Sequence, residues 1–374
     1  MIADAVRTNA YDRALRRAVR PGSVVVDIGT GTGIFALLAA RYGARRVYAI
    51  EPSDAIQVAR EIAADNGCSE RIEFIQDLST NVVLPERADL IVSDMRGVLP
   101  PFQQHLPSIT DARQRFLAPG GVLVPRRDNL WAAIVAGPDL YRDCQVPWVG
   151  NPFGVDMRAG LQIVTNSWRK ERVQREQLLS EPRCWATLDY VSLGSPDVSG
   201  EVVVAAARAG TAHGMVVWFD SELHEDIGFS NAPGKPELIY GQAFFPWSEP
   251  VELTAGDSIS VGLQAHLSGE EYLWQWATRV VGAGAASAGV KAEFRQSTFF
   301  GAPLSSKSLR KRSESHVPTI NEEGQVDRFV LDLMAGNTAL GEIARQVSSR
   351  FPARFPTVQR ALDHVGELSG KYSR

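Results

Sequence analysis

The chain has 374 residues, a formal net charge of −4, 44% hydrophobic residues and 22% charged ones. That length allows two or three domains with cores of their own, and the slightly acidic balance argues against a nucleic-acid partner, which would call for a basic domain or stripe. No apolar run reaches membrane-spanning length and the N-terminus lacks a signal peptide's apolar core, so a cytoplasmic protein without a membrane partner is expected. Cys68, Cys144 and Cys184 are scattered, as are the six histidines, so neither a disulfide framework nor a metal site is expected.

The first segment, residues 1–129, alternates strand and helix signals in the manner of a doubly wound, Rossmann-like α/β sheet. Val24-Val25-Val26-Asp27-Ile28 reads as a buried parallel strand, and Gly29-Thr30-Gly31-Thr32-Gly33 as a tight turn into a helix over Ile34–Arg41. Val47–Glu51 is the second strand, and its terminal Glu51, followed by Pro52, suits the two ribose hydroxyls of a nucleoside. The glycines are spaced G-x-G-x-G, whereas a dinucleotide site places the third one residue later and offers a helix N-terminus to pyrophosphate. Asp27, two residues before the first glycine, would repel pyrophosphate but suits the amino end of a methionine moiety. The loop therefore predicts S-adenosylmethionine, released as S-adenosylhomocysteine. Arg71–Ile75 and Ala88–Asp94 are the third and fourth strands, the latter ending in a carboxylate at the edge where such sheets bind ligands. Pro119-Gly120-Gly121 reads as a turn into a fifth strand, Val122–Pro125.

From 130 to 300 the pattern changes to short alternating runs, such as 201–204, 214–219 and 258–263, which predict an antiparallel β-barrel or sandwich. A polar, Arg/Glu-rich stretch at about 158–182 has helical spacing and fits a projecting arm. Residues 301–318 read as a solvated linker with a basic run at 305–313, and 319–374 as a helical module. In that module Phe329, Leu333, Leu340, Ile343, Val347, Phe351, Leu362 and Val365 recur at three- and four-residue spacing.

Taken together, these residues resemble the protein arginine methyltransferase family over the first three hundred positions. Asp4–Tyr11 is similar to that family's cofactor-covering segment, which implies that Arg7 holds the methionine carboxylate and that Tyr11 lies over the cofactor. The glycine loop and Glu51 match its cofactor site, and the resemblance places Asp77, Leu78 and Ser79 near the adenine. Phe153–Met157 and Gly228-Phe229-Ser230 resemble landmarks of its barrel, with a dimerisation arm after the first, which implies a homodimer. Three positions depart from the pattern. The family grips its acceptor arginine with two glutamates, where this chain has the shorter Asp94 and, at the second position, Gln103. Leu238-Ile239-Tyr240 replaces the family's Thr-His-Trp.

Methyl transfer from a sulfonium needs an aligned acceptor lone pair more than a strong base, so Asp94 is expected to orient an amine and take its proton. Arg96 pairs with Asp94 or binds a substrate carboxylate. The weakened clamp disfavours a guanidinium. The tail resembles the helical half of a PqqD-like module, which captures leader peptides of ribosomally made natural products by strand addition, with Ser315–Thr319 as the extended part. The expectation is therefore N-methylation of an amine on a leader-bearing precursor peptide, of daptide type. The alternatives are an arginine methyltransferase, acting on protein or free arginine, and a non-catalytic scaffold.

Overall fold

The computed structural model describes residues 1–150, 152–284 and 289–373. The others fall within the expected barrel and tail, and those expectations lie outside the described residues there. Two compact units result, Met1–Pro303 and Leu304–Arg374. No helix of the described residues is long and apolar enough to cross a membrane.

The first unit opens with α1 (Ala5–Ala18), capped by Asp4, whose carboxylate accepts the Arg7 backbone N–H at 3.0 Å. Arg7, Tyr11, Ala14 and Leu15 are all buried on one face, as the helical period dictates. β1 (Val24–Ile28), α2 (Ile34–Arg41), β2 (Arg46–Ile50), α3 (Ala55–Asp65), β3 (Ile72–Ile75), β4 (Ala88–Ser93), α4 (His105–Arg115) and β5 (Leu117–Val124) follow. The five strands pair in parallel in the order β3-β2-β1-β4-β5. Pro119–Gly121, expected to precede the fifth strand, lies inside it. Gly120 sits at φ 76° and the pairing register shifts between Ala88 and Leu90, an irregularity that an edge strand tolerates where proline has no N–H to give.

The chain then passes to antiparallel structure: β6 (Arg127–Val135), α5 (Pro138–Val149), α6 (Leu161–Thr165), β7 (Arg169–Glu171), β8 (Arg183–Asp189), β9 (Val198–Ala205), β10 (Gly210–His224), β11 (Ile227–Ser230), β12 (Gln242–Leu253), β13 (Ser258–Ser268), β14 (Glu271–Val281), β15 (Val290–Ser297) and α7 (Thr298–Gly301). Among the described residues these strands do not close into the expected barrel. They form one sheet ordered β7-β12-β10-β6-β8, with β11 added on β10, and a second ordered β15-β14-β13-β9. β8 and β9 meet without laddering: at Gly200 of β9 a Cβ would lie 1.9 Å from the Trp185 carbonyl oxygen of β8. Trp185, Phe245, Trp247, Trp274 and Trp276 fill the core. The expected helical arm also differs. Within it α6 is helical, with α5 lying before it, whereas Arg169–Glu171 pairs with Gln242–Phe244. The alternating charges of that stretch belong to an edge strand rather than to a helix face.

The second unit comprises α8 (Ser306–Lys311), α9 (Glu322–Ala335), α10 (Leu340–Arg350) and α11 (Val358–Tyr372), the last three sharing a core of Val326, Val330, Ile343, Val347, Phe355 and Val365. The basic run at 305–313 thus includes a short exposed helix. Ser315–Thr319 forms no strand, and the described residues of this unit contain no sheet edge to which a peptide strand could be added.

Candidate active site

Because β1 to β4 run parallel, Asp27, Glu51, Asp77 and Asp94 all arrive at the carboxyl edge of one sheet. The strand order reverses beside β1, where open α/β sheets bind ligands. Gly29, Gly31 and Gly33 take φ 70°, 54° and 85°, which L side chains rarely adopt. The loop is tied to its neighbours: the Glu51 carboxylate accepts the backbone N–H groups of Gly31 and Ser53, each at 3.0 Å. Asp27, fully buried, accepts the Thr30 hydroxyl at 2.5 Å and the Ala36 N–H at 3.0 Å, so one oxygen organises the loop and caps α2. Its other oxygen has no protein partner. Burial pushes the Asp27 carboxyl up to about 7; the bonds from Thr30 and Ala36 oppose that, nearby Glu51 adds to it, and Arg7 opposes it.

These features fit S-adenosylmethionine. The orphaned Asp27 oxygen suits an ammonium, nothing lies within 4 Å of where a Gly31 Cβ would be, and the half-buried Glu51 stands at the strand end. Pro52 is exposed beside it. After β3, Asp77 accepts from Leu78 N–H at 2.7 Å and from the Asn81 amide at 2.8 Å, holding a turn in which Leu78 is exposed and Ser79 buried.

Asp94, one residue beyond β4, lies at the centre of a buried charge cluster. The Arg7 Nε–H donates to its Oδ2, the Tyr240 hydroxyl lies 2.8 and 2.7 Å from its two oxygens, and the Arg96 Nε–H donates to Oδ1 at 3.1 Å. The Asp94 side chain is 2% exposed and that of Arg96 is fully buried. Arg96 is held on every side: Nη1 donates to Asp128 at 2.9 and 3.2 Å and to the Ser221 hydroxyl at 2.7 Å, and Nη2 to the Tyr11 hydroxyl. Phe219 and Phe229 lie 5.3 Å from its guanidinium carbon, a cation–π distance. Tyr11 donates to the Ser93 carbonyl at 2.9 Å and stacks on Phe35. Tyr190 donates to Asp128 at 2.6 Å and lies 3.2 Å from His105 Nε2.

The charges decide the protonation states. Burial pushes the Asp94 carboxyl up, but Arg96 and Arg7, together with the hydrogen bonds from Tyr240 and Arg7, hold it below the usual carboxylate range. Burial and the neighbouring Asp94 push the Tyr240 hydroxyl up, so it stays a donor. Burial, aided by Arg96, lowers the His105 imidazole to about 3, so it is neutral. Asp94 is thus a fixed anion, better suited to orienting a cation than to taking a proton.

The structure therefore gathers Arg7, Tyr11, Asp94 and Arg96, and the Arg96 donors go to Asp94, Asp128, Ser221 and Tyr11. Gln103 is not brought to Asp94; it sits exposed in the following loop at φ 42° and shares no hydrogen bond with Asp94 or Arg96. Asp128 and Tyr190 were missed by sequence reasoning, and Tyr240 had been noted only as a departure. The available signal was weak, since Asp128 stands among the polar residues Arg126, Arg127 and Asn129 around the start of the strand.

Residues 8–136 match the family model "Ribosomal protein L11 methyltransferase (PrmA)", and residues 127–272 match "Arginine methyltransferase oligomerization subdomain". Protein arginine N-methyltransferase 6 of Xenopus tropicalis is 30% identical over 275 residues, covering 70% of this chain and 80% of that protein. Protein arginine N-methyltransferase 1 of Dictyostelium discoideum is 28% identical over 268 residues, 70% and 78% of the two chains. The Trypanosoma brucei PRMT1 enzyme-prozyme heterotetrameric complex with AdoHcy has a TM-score of 0.72 at 23% identity, over 79% of this chain and 96% of that one, and so shares the fold. These likenesses overturn the expectation of an amine on a leader-bearing precursor peptide, since the relatives that match most of the chain are named arginine N-methyltransferases. They also set aside the non-catalytic scaffold.

Proposed function

Because the chain belongs to the protein arginine methyltransferase family, and is an S-adenosylmethionine-dependent methyltransferase, we propose that its acceptor is the guanidinium of a protein arginine side chain. The observation that carries this reading is that Asp94, buried and ionised, already grips one guanidinium edge-on while Tyr240 and Arg96 fix its orientation. A carboxylate at that depth is reached by a flat cation on a thin aliphatic stem.

S-adenosylmethionine supplies the sulfonium methyl group. Glu51 takes the ribose hydroxyls, Asp27 and the glycine loop take the amino-acid end, and Asp77 to Ser79 lie by the adenine. Asp94 aligns an acceptor nitrogen and stabilises the cation formed on methylation. Held below the usual carboxylate range, Asp94 orients the nitrogen without keeping its proton, which passes to water as the methyl group is transferred. One carboxylate supported by Tyr240 takes the place of the pair the sequence lacks. Asp94→Asn is expected to lower kcat on an arginine-containing peptide at least a hundredfold without weakening S-adenosylhomocysteine binding. Undiminished turnover would remove Asp94 from the acceptor site.

The same reading extends to assembly as a homodimer. The excursion holding α5 and α6 carries the exposed apolar residues Val149, Phe153, Val155 and Met157, within the span matching the oligomerization subdomain.

A further inference from the structure

The two arginines on Asp94 are held very differently. Every nitrogen of the Arg96 guanidinium donates within the cluster, to Asp94, Asp128, Ser221 and Tyr11. Arg7 is attached to Asp94 and to the Tyr240 hydroxyl, at 3.1 Å, through Nε alone. Its Nη1 has only a 3.5 Å contact with the Thr8 hydroxyl, and its Nη2 has no partner among the described residues. Arg7 also reaches the helix that follows the glycine loop. Its guanidinium carbon lies 5.2 Å from the ring of Phe35, in the first turn of α2, and its charge acts on Asp27.

A methionine-type amino acid seated at the glycine loop brings an α-carboxylate, and the cation there with unused donors is Arg7. We propose that Arg7 is a placeholder guanidinium, which masks Asp94 until the cofactor carboxylate draws it away and opens that carboxylate to the acceptor arginine. One guanidinium leaves as another arrives, so the buried anion keeps a partner throughout, as burial requires. Cofactor and acceptor then bind with positive coupling, each raising the other's affinity by the same factor. Asp94 keeps its geometry during the exchange because Tyr240 and Arg96 remain on it.

This inference rests on the arginine reading of the site, and its test separates the two. The Arg7 Nε–Hε resonance, assigned by its loss in Arg7→Lys, would be followed in the full-length protein by 15N–1H spectroscopy. S-adenosylhomocysteine carries the carboxylate; 5′-methylthioadenosine fills the nucleoside position without it. Saturating S-adenosylhomocysteine should shift the resonance and tighten an arginine-containing peptide at least tenfold, whereas saturating 5′-methylthioadenosine should do neither. An unmoved resonance with S-adenosylhomocysteine, or an equal response to both nucleosides, overturns the placeholder. Arginine methylation by the same preparation would show the acceptor reading intact in that case, and its absence would mean both had failed.

Discussion

The Asp27 carboxylate shows how one side chain serves loop and helix at once. One oxygen holds Thr30 and Ala36, and the other is left without a protein partner in a fully buried position, so its ionised form is costly in the free protein. Its folded pKa of about 7 lies above the ordinary 3.8, so the folded state binds more protons than the unfolded chain between those values. Stability must then fall as pH rises from about 4 to about 7 on account of this group. Urea unfolding of wild type and Asp27→Asn across that window should show wild type losing ground as pH rises; parallel curves would mean that the buried carboxyl is not protonated. Asp94 is the opposite case, equally buried but kept ionised by two arginines.

At the level of elements, the parallel half was legible because its signals are local. Asp27, the three glycines and Glu51 lie in or just after two consecutive strands, and the helix Ile34–Arg41 was bounded correctly. The acceptor half was not, because its parts are far apart in sequence: Arg7 reaches Asp94 across 87 positions, Tyr240 across 146, and Ser221 reaches Arg96 across 125. The arm was legible only in part for a related reason, since alternating Arg and Glu residues satisfy a helix face and an edge strand alike. The barrel failed to appear where β8 and β9 cross without pairing, which a backbone contact at Gly200 makes possible. Gly200→Ala places a Cβ against a backbone oxygen that cannot swing aside, and should lower unfolding free energy by about 1–3 kcal/mol or more. An unchanged urea midpoint would show that the two sheets can slide apart at no cost.

For the whole molecule, the parallel sheet supplies the cofactor site and α1 carries Arg7 and Tyr11 onto the antiparallel strands that contribute Asp128, Ser221 and Tyr240. The proposed acceptor site is thus built from both halves of the first unit. Dimerisation through the α5 and α6 excursion should be abolished by Phe153→Glu, measured as a halved mass by light scattering; a wild-type protein already monomeric at micromolar concentration would refute it. The central claim, that Asp94 selects a guanidinium, is tested most directly by fragmenting a peptide that carries one arginine, one lysine and a free N-terminal amine after incubation with this protein and S-adenosylmethionine. Methyl groups confined to the arginine side chain are the predicted result, and methylation of either amine with the arginine untouched would contradict it.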